Sequence, residues 1–343
     1  MTETGLRAVV PGERQVAFER FALPTTLAPG EVLLRIERTV ISAGTETANY
    51  TGLDPGVHVP GNWNTYPWRP GYGGVGIVSA LGPGVHGLHE GQRVYGIFHH
   101  ATHEVVDTTR ELCVPVPAGL EPTTAVMARM GNVAITARQR SKAVPGDAVA
   151  VIGLGVVGNL AGQFFAAGGF QVLGVDPQAR RRETALACGF AATVDPASLA
   201  TADLGAQIAA ALGQRPRVII DAVGDSGIVA QAVDMAPRNG EVVLLGTPRA
   251  PRSGDLTALL NRIHTMGIEL AGALEWNIPL LGPDRLSTER NAAEILAMVA
   301  DSRLLVKPLV SHQLPPDRLQ EAYEGLLTRR DDYLGVVLDW ERA

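Results

Sequence analysis

The sequence predicts an α/β protein with a β-rich first third and a doubly wound parallel sheet in its middle. The middle alternates near-continuous apolar runs with helix-like segments, a pattern typical of parallel strands joined by helices. The first third holds short apolar or alternating runs that proline and glycine turns separate, which is typical of strands. A glycine-rich turn at the start of the middle region supports the same prediction.

Each predicted element follows from its own pattern. Apolar or period-two runs predict strands in the first third at Leu6–Val10, Glu31–Glu37 and Gly74–Ala80. Near-continuous apolar runs predict parallel strands at Val149–Gly153, Val172–Asp176, Arg217–Ala222, Glu241–Gly246 and Ile268–Ala273. Helical patterns stand at Ala179–Ala187, Ile228–Ala236, Ala292–Val299 and Leu319–Leu327. We expect the last strand, Tyr333–Asp339, to return to the N-terminal domain.

The glycine-rich turn has the spacing of a dinucleotide-binding motif. The run Val149–Gly153 leads into Gly153-x-Gly155-x-x-Gly158 and then into a helical pattern, Asn159–Ala167. Gly153 allows a tight turn, Gly155 lets the backbone approach a pyrophosphate, and Gly158 lets the helix pack closely on the strand. The helix N-terminus would hold the phosphates, because free N–H groups and the helix dipole favour anions there.

The acidic residue that ends the next strand indicates which nucleotide is preferred. Asp176 lies 23 positions after Gly153, close to where a carboxylate accepts hydrogen bonds from an adenosine ribose. A carboxylate there repels the 2′-phosphate of NADP, so NAD is expected. The run Arg180–Arg182 leaves NADP possible, since an arginine could reach that phosphate; the alternative is a solvated helix start.

Composition bounds the class of protein. The chain has 343 residues, a net charge of −6 and 46% hydrophobic residues, with a mean hydropathy of +0.11, which suits about two globular domains. It has no basic block, so nucleic acid is not an expected partner. Its two cysteines predict neither a disulfide framework nor a structural zinc site. No signal peptide or membrane span is predicted, so a cytoplasmic location is expected.

These residues resemble the medium-chain dehydrogenase/reductase superfamily, the alcohol dehydrogenase-like enzymes, over nearly the whole chain. Besides the glycine motif, the landmarks in order are Pro70–Gly76, Gly91–Val94, Asp221–Gly224, Leu244–Gly246 and Tyr333–Asp339. The resemblance implies a GroES-like β-barrel catalytic domain at 1–125 and a Rossmann domain at 126–280. Residues 281–343 would form a C-terminal segment that returns in part to the catalytic domain. A homodimer acting on a small-molecule substrate is also implied.

The chain departs from the zinc-dependent members at the metal ligands. In Ile41–Glu46, Ala43 stands where those members have a cysteine, and in Gly71–Gly73, Tyr72 replaces a histidine. The third ligand position falls on Ala128. Catalytic zinc needs about three N, S or O ligands and an open position. The resemblance therefore implies a zinc-independent branch, loosely similar to bacteriochlorophyllide dehydrogenase-like and sugar- or cyclitol-dehydrogenase-like members.

Without zinc, a side chain or an ordered water must supply the proton or positive partner that a developing alkoxide needs. Thr45 matches the proton-relay hydroxyl of zinc members; the alternative is a structural turn threonine. Tyr72 stands at a former ligand position, where a phenol can donate a proton; the alternative is a pocket-lining or core aromatic. Glu46 is either a general base or the partner of an arginine.

A group of histidines adds further acid/base candidates. In Phe98–Glu104, strand alternation would place His99 and His103 on one face and His100 on the other. Either His99 or His100 is a candidate catalytic residue near neutral pH. The alternative for each is a surface or hydrogen-bonded structural role.

The resemblance also implies a set of cofactor contacts. Asn132 stands where the family has a threonine near the nicotinamide ring. The remaining expected contacts are Gly153, Leu154, Gly155, Val156, Val157, Gly158, Asp176, Arg181, Ala222, Val223 and Gly246.

Three functions are open at this point. The leading hypothesis is a zinc-independent, NAD(H)-dependent enzyme that interconverts a ketone and a secondary alcohol such as a polyol or cyclitol. The alternative is an NAD(P)H-dependent enone or quinone reductase. The asparagine that such reductases usually carry at position 43 is here Ala43. The third is a nucleotide-binding regulatory or structural protein without catalysis.

Overall fold

The computed structural model describes residues 3–197 and 199–343, and the chain divides into two compact units. The first unit contains the chain up to Arg129 together with Ile278–Ser302 and Val310–Ala343. The second contains Met130–Asn277 and Arg303–Leu309. The unit boundaries thus fall at Arg129 and Asn277, where the sequence analysis places them at 125 and 280, and Arg303–Leu309 belongs to the second unit.

The elements follow one another as fifteen strands and ten α-helices within the described residues. The strands are β1 (Thr4–Val9), β2 (Ala17–Ala22), β3 (Glu31–Val40), β4 (Gly74–Leu81), β5 (Arg93–Gly96), β6 (His103–Asp107), β7 (Cys113–Pro115), β8 (Ala148–Ile152), β9 (Gln171–Val175), β10 (Ala192–Val194), β11 (Val218–Asp221), β12 (Glu241–Leu244), β13 (Glu269–Gly272), β14 (Val310–Leu314) and β15 (Gly335–Asp339). The helices are α1 (Thr45–Tyr50), α2 (Pro122–Ala125), α3 (Ala128–Arg140), α4 (Val156–Ala167), α5 (Ala179–Ala187), α6 (Thr201–Leu212), α7 (Ser226–Met235), α8 (Leu256–Met266), α9 (Thr288–Ala300) and α10 (Leu319–Thr328).

The second unit is built on a parallel sheet with the strand order β10-β9-β8-β11-β12-β13. The first strand, β8, lies in the middle of the sheet. The next two strands extend the sheet on one side of β8, and the last three extend it on the other side, which is the doubly wound order. The strands β8 and β11 are buried at every residue, as near-continuous apolar runs require when helices cover both faces. The Rossmann part of the predicted fold class is therefore confirmed.

The first unit contains a seven-stranded sheet with the order β14-β15-β3-β4-β5-β7, in which β6 also pairs with β3. The terminal strand β15 runs antiparallel to β3 and pairs Val337 with Val40, so the end of the chain joins the N-terminal sheet. Period-two residues of β3, Val32, Leu34 and Ile36, are buried in the core of this unit. A separate two-stranded sheet joins β1 and β2.

Most predicted elements are present with ends that differ by a few residues. The helix after the glycine turn starts at Val156, three residues before the expected Asn159, because the first helical turn contains the motif itself. Among the described residues, no helix is both long enough and apolar enough to cross a membrane.

Candidate active site

The glycine turn of the second unit is shaped by close backbone packing. Gly153 follows β8 with φ of +92°, a conformation that side chains disfavour. A Cβ on Gly158 would lie 1.9 Å from the carbonyl oxygen of Gly153, so α4 rests directly on the turn. Gly155, by contrast, faces open space. Apart from its sequence neighbours and the backbone of its own helix, no atom of the described residues lies within 4 Å of where a Cβ would stand.

The start of α4 leaves backbone donors available beside this open position. The ladder begins with Asn159 N donating to Gly155 O at 2.9 Å, so the N–H groups of Val156, Val157 and Gly158 have no acceptor within the helix. The N-cap, Gly155, makes no side-chain capping bond. Free donors, the helix dipole and open space together suit a pyrophosphate, so these residues fit a dinucleotide.

Asp176 ties the end of β9 to the glycine turn. The residue is only 3% exposed; one carboxylate oxygen accepts from Leu154 N at 2.8 Å and the other from Gln178 N at 2.8 Å. Arg181 Nη1 lies 3.7 Å from the same carboxylate. Each oxygen keeps a further lone pair, so the carboxylate can still accept a ribose hydroxyl.

The neighbouring arginine is held by the protein. Arg182 Nη1 donates to the carbonyl oxygens of Asp176 and Pro177, both at 2.8 Å, and lies 3.0 Å from the Asp195 carboxylate. It is therefore oriented along the backbone of the turn after β9.

The turn after β11 packs against the glycine turn. A Cβ on Gly153 would lie 2.8 Å from Val223 Cγ2. A Cβ on Gly246 would lie 2.3 Å from the backbone nitrogen of Gly224. Asp221 orients this turn, because its carboxylate accepts from Val223 N and Gly224 N at 2.9 and 3.2 Å. Burial raises the pKa of the Asp221 carboxyl, although those two N–H groups lower it.

The structure thus brings the predicted nucleotide contacts together at the carboxyl ends of four parallel strands. Ala222 and Val223 follow β11, and Gly246 lies two residues after β12. Ligands of open α/β sheets bind at this edge. Asn132 also belongs to the second unit, where its side chain is buried on α3.

In the first unit, Tyr72 is fixed by the two glycines beside it. Gly71 has φ of +92°, and a Cβ there would lie 2.5 Å from His100 N. A Cβ on Gly73 would lie 2.4 Å from Arg129 Cγ. The peptide around Tyr72 is therefore held between His100 and Arg129, and only glycine fits on either side.

The phenol of Tyr72 lies among hydroxyl groups. Its OH donates to Ser42 Oγ, and the Thr45 side chain, at the first residue of α1, also interacts with it. Burial raises the pKa of the Tyr72 phenol; the Arg129 charge and the interactions with Ser42 and Thr45 lower it, and the Glu46 charge raises it. The structure thus brings two predicted catalytic residues, Thr45 and Tyr72, together in one cluster of hydroxyl groups, the Tyr72 cluster.

Arg129 is a site residue that the sequence analysis missed. It is 1% exposed, its Nε donates to the Tyr72 carbonyl oxygen at 2.8 Å, and its guanidinium carbon lies 4.4 Å from the Tyr72 ring centroid. One signal points to it in the sequence: it is a charged residue within the apolar run Ala125–Met130, directly after Ala128.

Glu46 and His100 form a closed, fully buried network instead of facing solvent. Glu46 accepts from Ser42 N at 2.8 Å through one oxygen. Its other oxygen accepts from Tyr323 OH at 2.8 Å and lies 3.0 Å from His100 Nε2. The side chains of Glu46 and His100 are both 0% exposed. Burial raises the Tyr323 pKa well above its ordinary value, with the Glu46 charge adding to this, so the phenol stays a donor.

The far side of the His100 ring completes this network. Nδ1 lies 2.8 Å from Thr39 Oγ1, which also accepts from Trp340 Nε1 at 2.8 Å. With Nε2 donating to Glu46, Nδ1 accepts from the threonine hydroxyl. Because Glu46 is the second residue of α1, the network holds the helix whose first residue is Thr45.

His99 lies apart from the Tyr72 cluster. It is exposed, with its Nδ1 3.1 Å from Glu104 Oε1. The expected strand alternation is wrong here, because His99 and His100 lie in an irregular segment and β6 begins only at His103. The physical reason is that the His100 backbone bonds to two separate segments, donating to Pro70 O and accepting from Ala8 N, both at 2.9 Å.

A zinc ion is the group that alcohol dehydrogenase-like proteins commonly hold at such a cluster, and the residues here do not fit it. Ala43 and Ala128 have no donor atom, and the Tyr72 oxygen bonds to Ser42. Within 3–197 and 199–343, no three His, Cys, Asp or Glu side chains are grouped as a metal site requires.

Comparisons with known proteins match both halves of the chain. Residues 28–138 match the family model of the alcohol dehydrogenase GroES-like domain. Residues 156–279 match the model named zinc-binding dehydrogenase. The first range contains the Tyr72 cluster, and the second begins at the first residue of α4, within the glycine motif, and contains Gly158 and Asp176.

Individual proteins resemble the chain over almost all of its length. The 2-desacetyl-2-hydroxyethyl bacteriochlorophyllide A dehydrogenase of Cereibacter sphaeroides is 27% identical, with 97% of each chain covered. The L-galactonate-5-dehydrogenase of Escherichia coli is 25% identical over 90% of this chain and 91% of its own. An alcohol dehydrogenase from Escherichia coli CFT073, crystallised with NADH, has the same fold, with a TM-score of 0.80, 17% identity and coverage of 98% and 99%.

Proposed function

Because the chain belongs to the medium-chain dehydrogenase/reductase superfamily of alcohol dehydrogenase-like, NAD(P)-dependent enzymes, we propose that it interconverts a secondary alcohol and a ketone without zinc. The observation that carries this proposal is the Tyr72 phenol. It stands at a former metal-ligand position, bonds to Ser42 and interacts with the Thr45 side chain.

The proposed chemistry divides between cofactor and protein. The nicotinamide cofactor, when bound, accepts or supplies the hydride. The protein must move the proton of the substrate hydroxyl. In ketone reduction the Tyr72 O–H bond breaks as the substrate oxygen gains the proton; in alcohol oxidation the proton returns to the tyrosine oxygen. Ser42 orients the phenol through its hydrogen bond, and the Thr45 side chain lies beside it.

The ligand set supports zinc independence. Two of the three expected ligands are alanines, and the third is a phenol whose pKa burial raises, which favours a neutral group over a metal-binding phenolate. Zinc would need other ligands that the described residues do not group together.

The contacts of three residues favour NAD over NADP. Asp176 is buried as a carboxylate at the end of β9, where it would repel a 2′-phosphate. Arg182 already pairs with Asp195 and two carbonyl oxygens, so it is not oriented as a phosphate ligand. Arg181 Nη1 lies 3.7 Å from the Asp176 carboxylate, so this arginine already has an anionic partner.

The substrate class is proposed from the relatives. The name of one specifies a hydroxyethyl group and that of the other a sugar acid. We propose a functionalised secondary alcohol such as a polyol or cyclitol. We also propose a homodimer in the cytoplasm, which analytical ultracentrifugation and cell fractionation would test.

The test is a substrate screen on protein whose metal content has been measured. One arm combines NAD⁺ with polyols, cyclitols and other secondary alcohols, and the other combines NADH or NADPH with enones and quinones. We expect turnover in the first arm that a chelator does not remove. Turnover confined to the enone arm would replace the proposal with C=C reduction. NADH binding without turnover in either arm would indicate a non-catalytic protein.

A further inference from the structure

We infer that Arg129 is a positioning residue for Tyr72: its guanidinium holds a positive charge against the ring and stabilises the phenolate formed when the phenol gives up its proton. The inference rests on the proposed function, in which Tyr72 exchanges a proton with the substrate oxygen. Arg129 contacts the tyrosine, so it acts through that residue.

The geometry fixes both partners. Arg129 Nε donates to the Tyr72 carbonyl oxygen at 2.8 Å, while its guanidinium carbon lies 4.4 Å from the centre of the ring of the same residue. The stem of Arg129 fills the space beside Gly73, where a Cβ would lie 2.4 Å from Arg129 Cγ. The buried guanidinium therefore cannot turn away without breaking these contacts.

A fixed cation has a chemical purpose at this position. Burial disfavours a phenolate, since it removes water from the negative oxygen. A nearby positive charge offsets that cost, and it does so without reorganisation during the reaction. In the zinc-dependent relatives implied by the sequence resemblance, a metal would carry positive charge here. In this chain Arg129, which directly follows Ala128, instead supplies a permanently charged side chain against the Tyr72 ring.

The other groups that face Tyr72 leave this role to Arg129. Ser42 and Thr45 offer neutral hydroxyls, and Glu46 is an anion whose oxygens are occupied by Ser42 N, His100 and Tyr323. Among the charged groups that act on this phenol, Arg129 lowers its pKa and Glu46 raises it. During ketone reduction the Tyr72 O–H bond breaks, an O–H bond forms on the substrate, and the negative charge remains on the tyrosine beside Arg129.

The test measures the ionisation of Tyr72 in the protein without substrate. Tyrosines are replaced by 3-fluorotyrosine, whose phenol ionises at a lower pH, and the fluorine resonance of residue 72 is identified by its loss in Tyr72→Phe. We expect Arg129→Gln to raise the pKa of this phenol by about one unit, roughly a tenfold change in the ionisation constant. Arg129→Lys keeps the charge and should retain most of the wild-type value. Equal pKa values in Arg129→Gln and the wild type would overturn the inference.

A second measurement needs no change at Arg129 and covers the case in which Arg129→Gln does not fold. In protein with labelled arginine side chains, the Arg129 resonance should shift with the same midpoint as the Tyr72 fluorine signal. The shift should vanish in Tyr72→Phe. If the chemical shift of Arg129 does not change as Tyr72 ionises, the two groups are not coupled.

Turnover separates this inference from the proposed function. Ketone reduction needs the phenol, so its rate falls as pH rises through the Tyr72 pKa, and in Arg129→Gln this fall should move to higher pH. Normal coupling by NMR with no turnover would leave the inference standing and remove the proposed function. Absent coupling in an active enzyme that Tyr72→Phe inactivates would do the reverse.

Discussion

The glycine turn of the second unit and the Tyr72 cluster of the first are built in opposite ways. The turn is formed by backbone groups: Gly153, Gly155 and Gly158 lie within six consecutive residues, and each is needed because it lacks a side chain. The cluster is formed by side chains. Tyr72 meets Ser42 and Arg129 across 30 and 57 positions of sequence, and Glu46 meets Tyr323 across 277.

This difference determines how each site can be damaged. A backbone site tolerates change only where the structure leaves space, so neighbouring glycines should respond differently to the same added methyl group. In a site formed by side chains, replacing a reacting group can remove activity while the protein stays folded. Replacing a buried partner that does not react can instead destabilise the protein. The following changes separate these cases.

Removing the Tyr72 hydroxyl should have the largest effect on activity. Tyr72→Phe deletes the proposed proton donor, and general acid–base groups contribute roughly 10²- to 10⁴-fold to rate. We expect turnover to fall by about that factor with little change in melting temperature. The matched control is Tyr66→Phe, which removes a phenol bonded to the Asn49 carbonyl in the same unit. Equal turnover in Tyr72→Phe and the wild type would remove this phenol from the mechanism.

Glu46→Ala should cause the largest loss of stability. It leaves His100 Nε2 and Tyr323 OH buried without their shared acceptor, and each buried polar group left unsatisfied costs about 1–3 kcal/mol. Glu104→Gln is the control, because its partner His99 is exposed and surface pairs contribute about 0–1 kcal/mol. Urea unfolding of both variants measures the difference. A Glu46→Ala protein as stable as Glu104→Gln would show that the buried network does not hold α1.

The same contrast explains how much could be predicted from the sequence. The fold class and the glycine turn were predictable because each depends on residues close together in the chain, and Asp176 follows from its distance to Gly153. Arg129, Ser42 and Tyr323 were not, because their roles arise from contacts between distant segments. His99 and His100 look like strand residues locally, yet hydrogen bonds to Pro70 and Ala8 hold His100 in an irregular segment.

The helices were predicted only in part. The predicted helix Ala179–Ala187 matches α5, whereas α8 was not predicted. No described residue of α8 is fully buried, but Leu259, Ile263 and Met266 lie at helical spacing and pack half-buried against the core of the second unit, so this helix did have a periodic apolar face.

Adding one methyl group to the glycine turn tests the backbone site directly. Gly158→Ala places a Cβ 1.9 Å from the Gly153 carbonyl oxygen, so the helix must shift, and overpacking of this kind costs about 1–3 kcal/mol. Gly155→Ala meets open space and should leave stability within about 0.5 kcal/mol while weakening NADH binding, since the methyl group occupies the proposed pyrophosphate position. Thermal unfolding and NADH fluorescence titration measure the two effects. A Gly155→Ala protein that binds NADH normally would place the pyrophosphate elsewhere.

The smallest expected effect is a change in cofactor preference at Asp176. Asp176→Asn removes the charge that would repel a 2′-phosphate, while an amide oxygen can still accept from Leu154 N. We expect the ratio of NADPH to NADH affinity to rise about tenfold, equivalent to roughly 1.4 kcal/mol. Asp203→Asn changes the net charge equally at an exposed position on α6 and should leave the ratio unchanged. If both variants shift the ratio alike, overall charge and not the carboxylate at the end of β9 sets the preference. If neither does, selectivity lies in contacts beyond Asp176, and the acidic end of this strand serves only to hold Leu154 and the glycine turn in place.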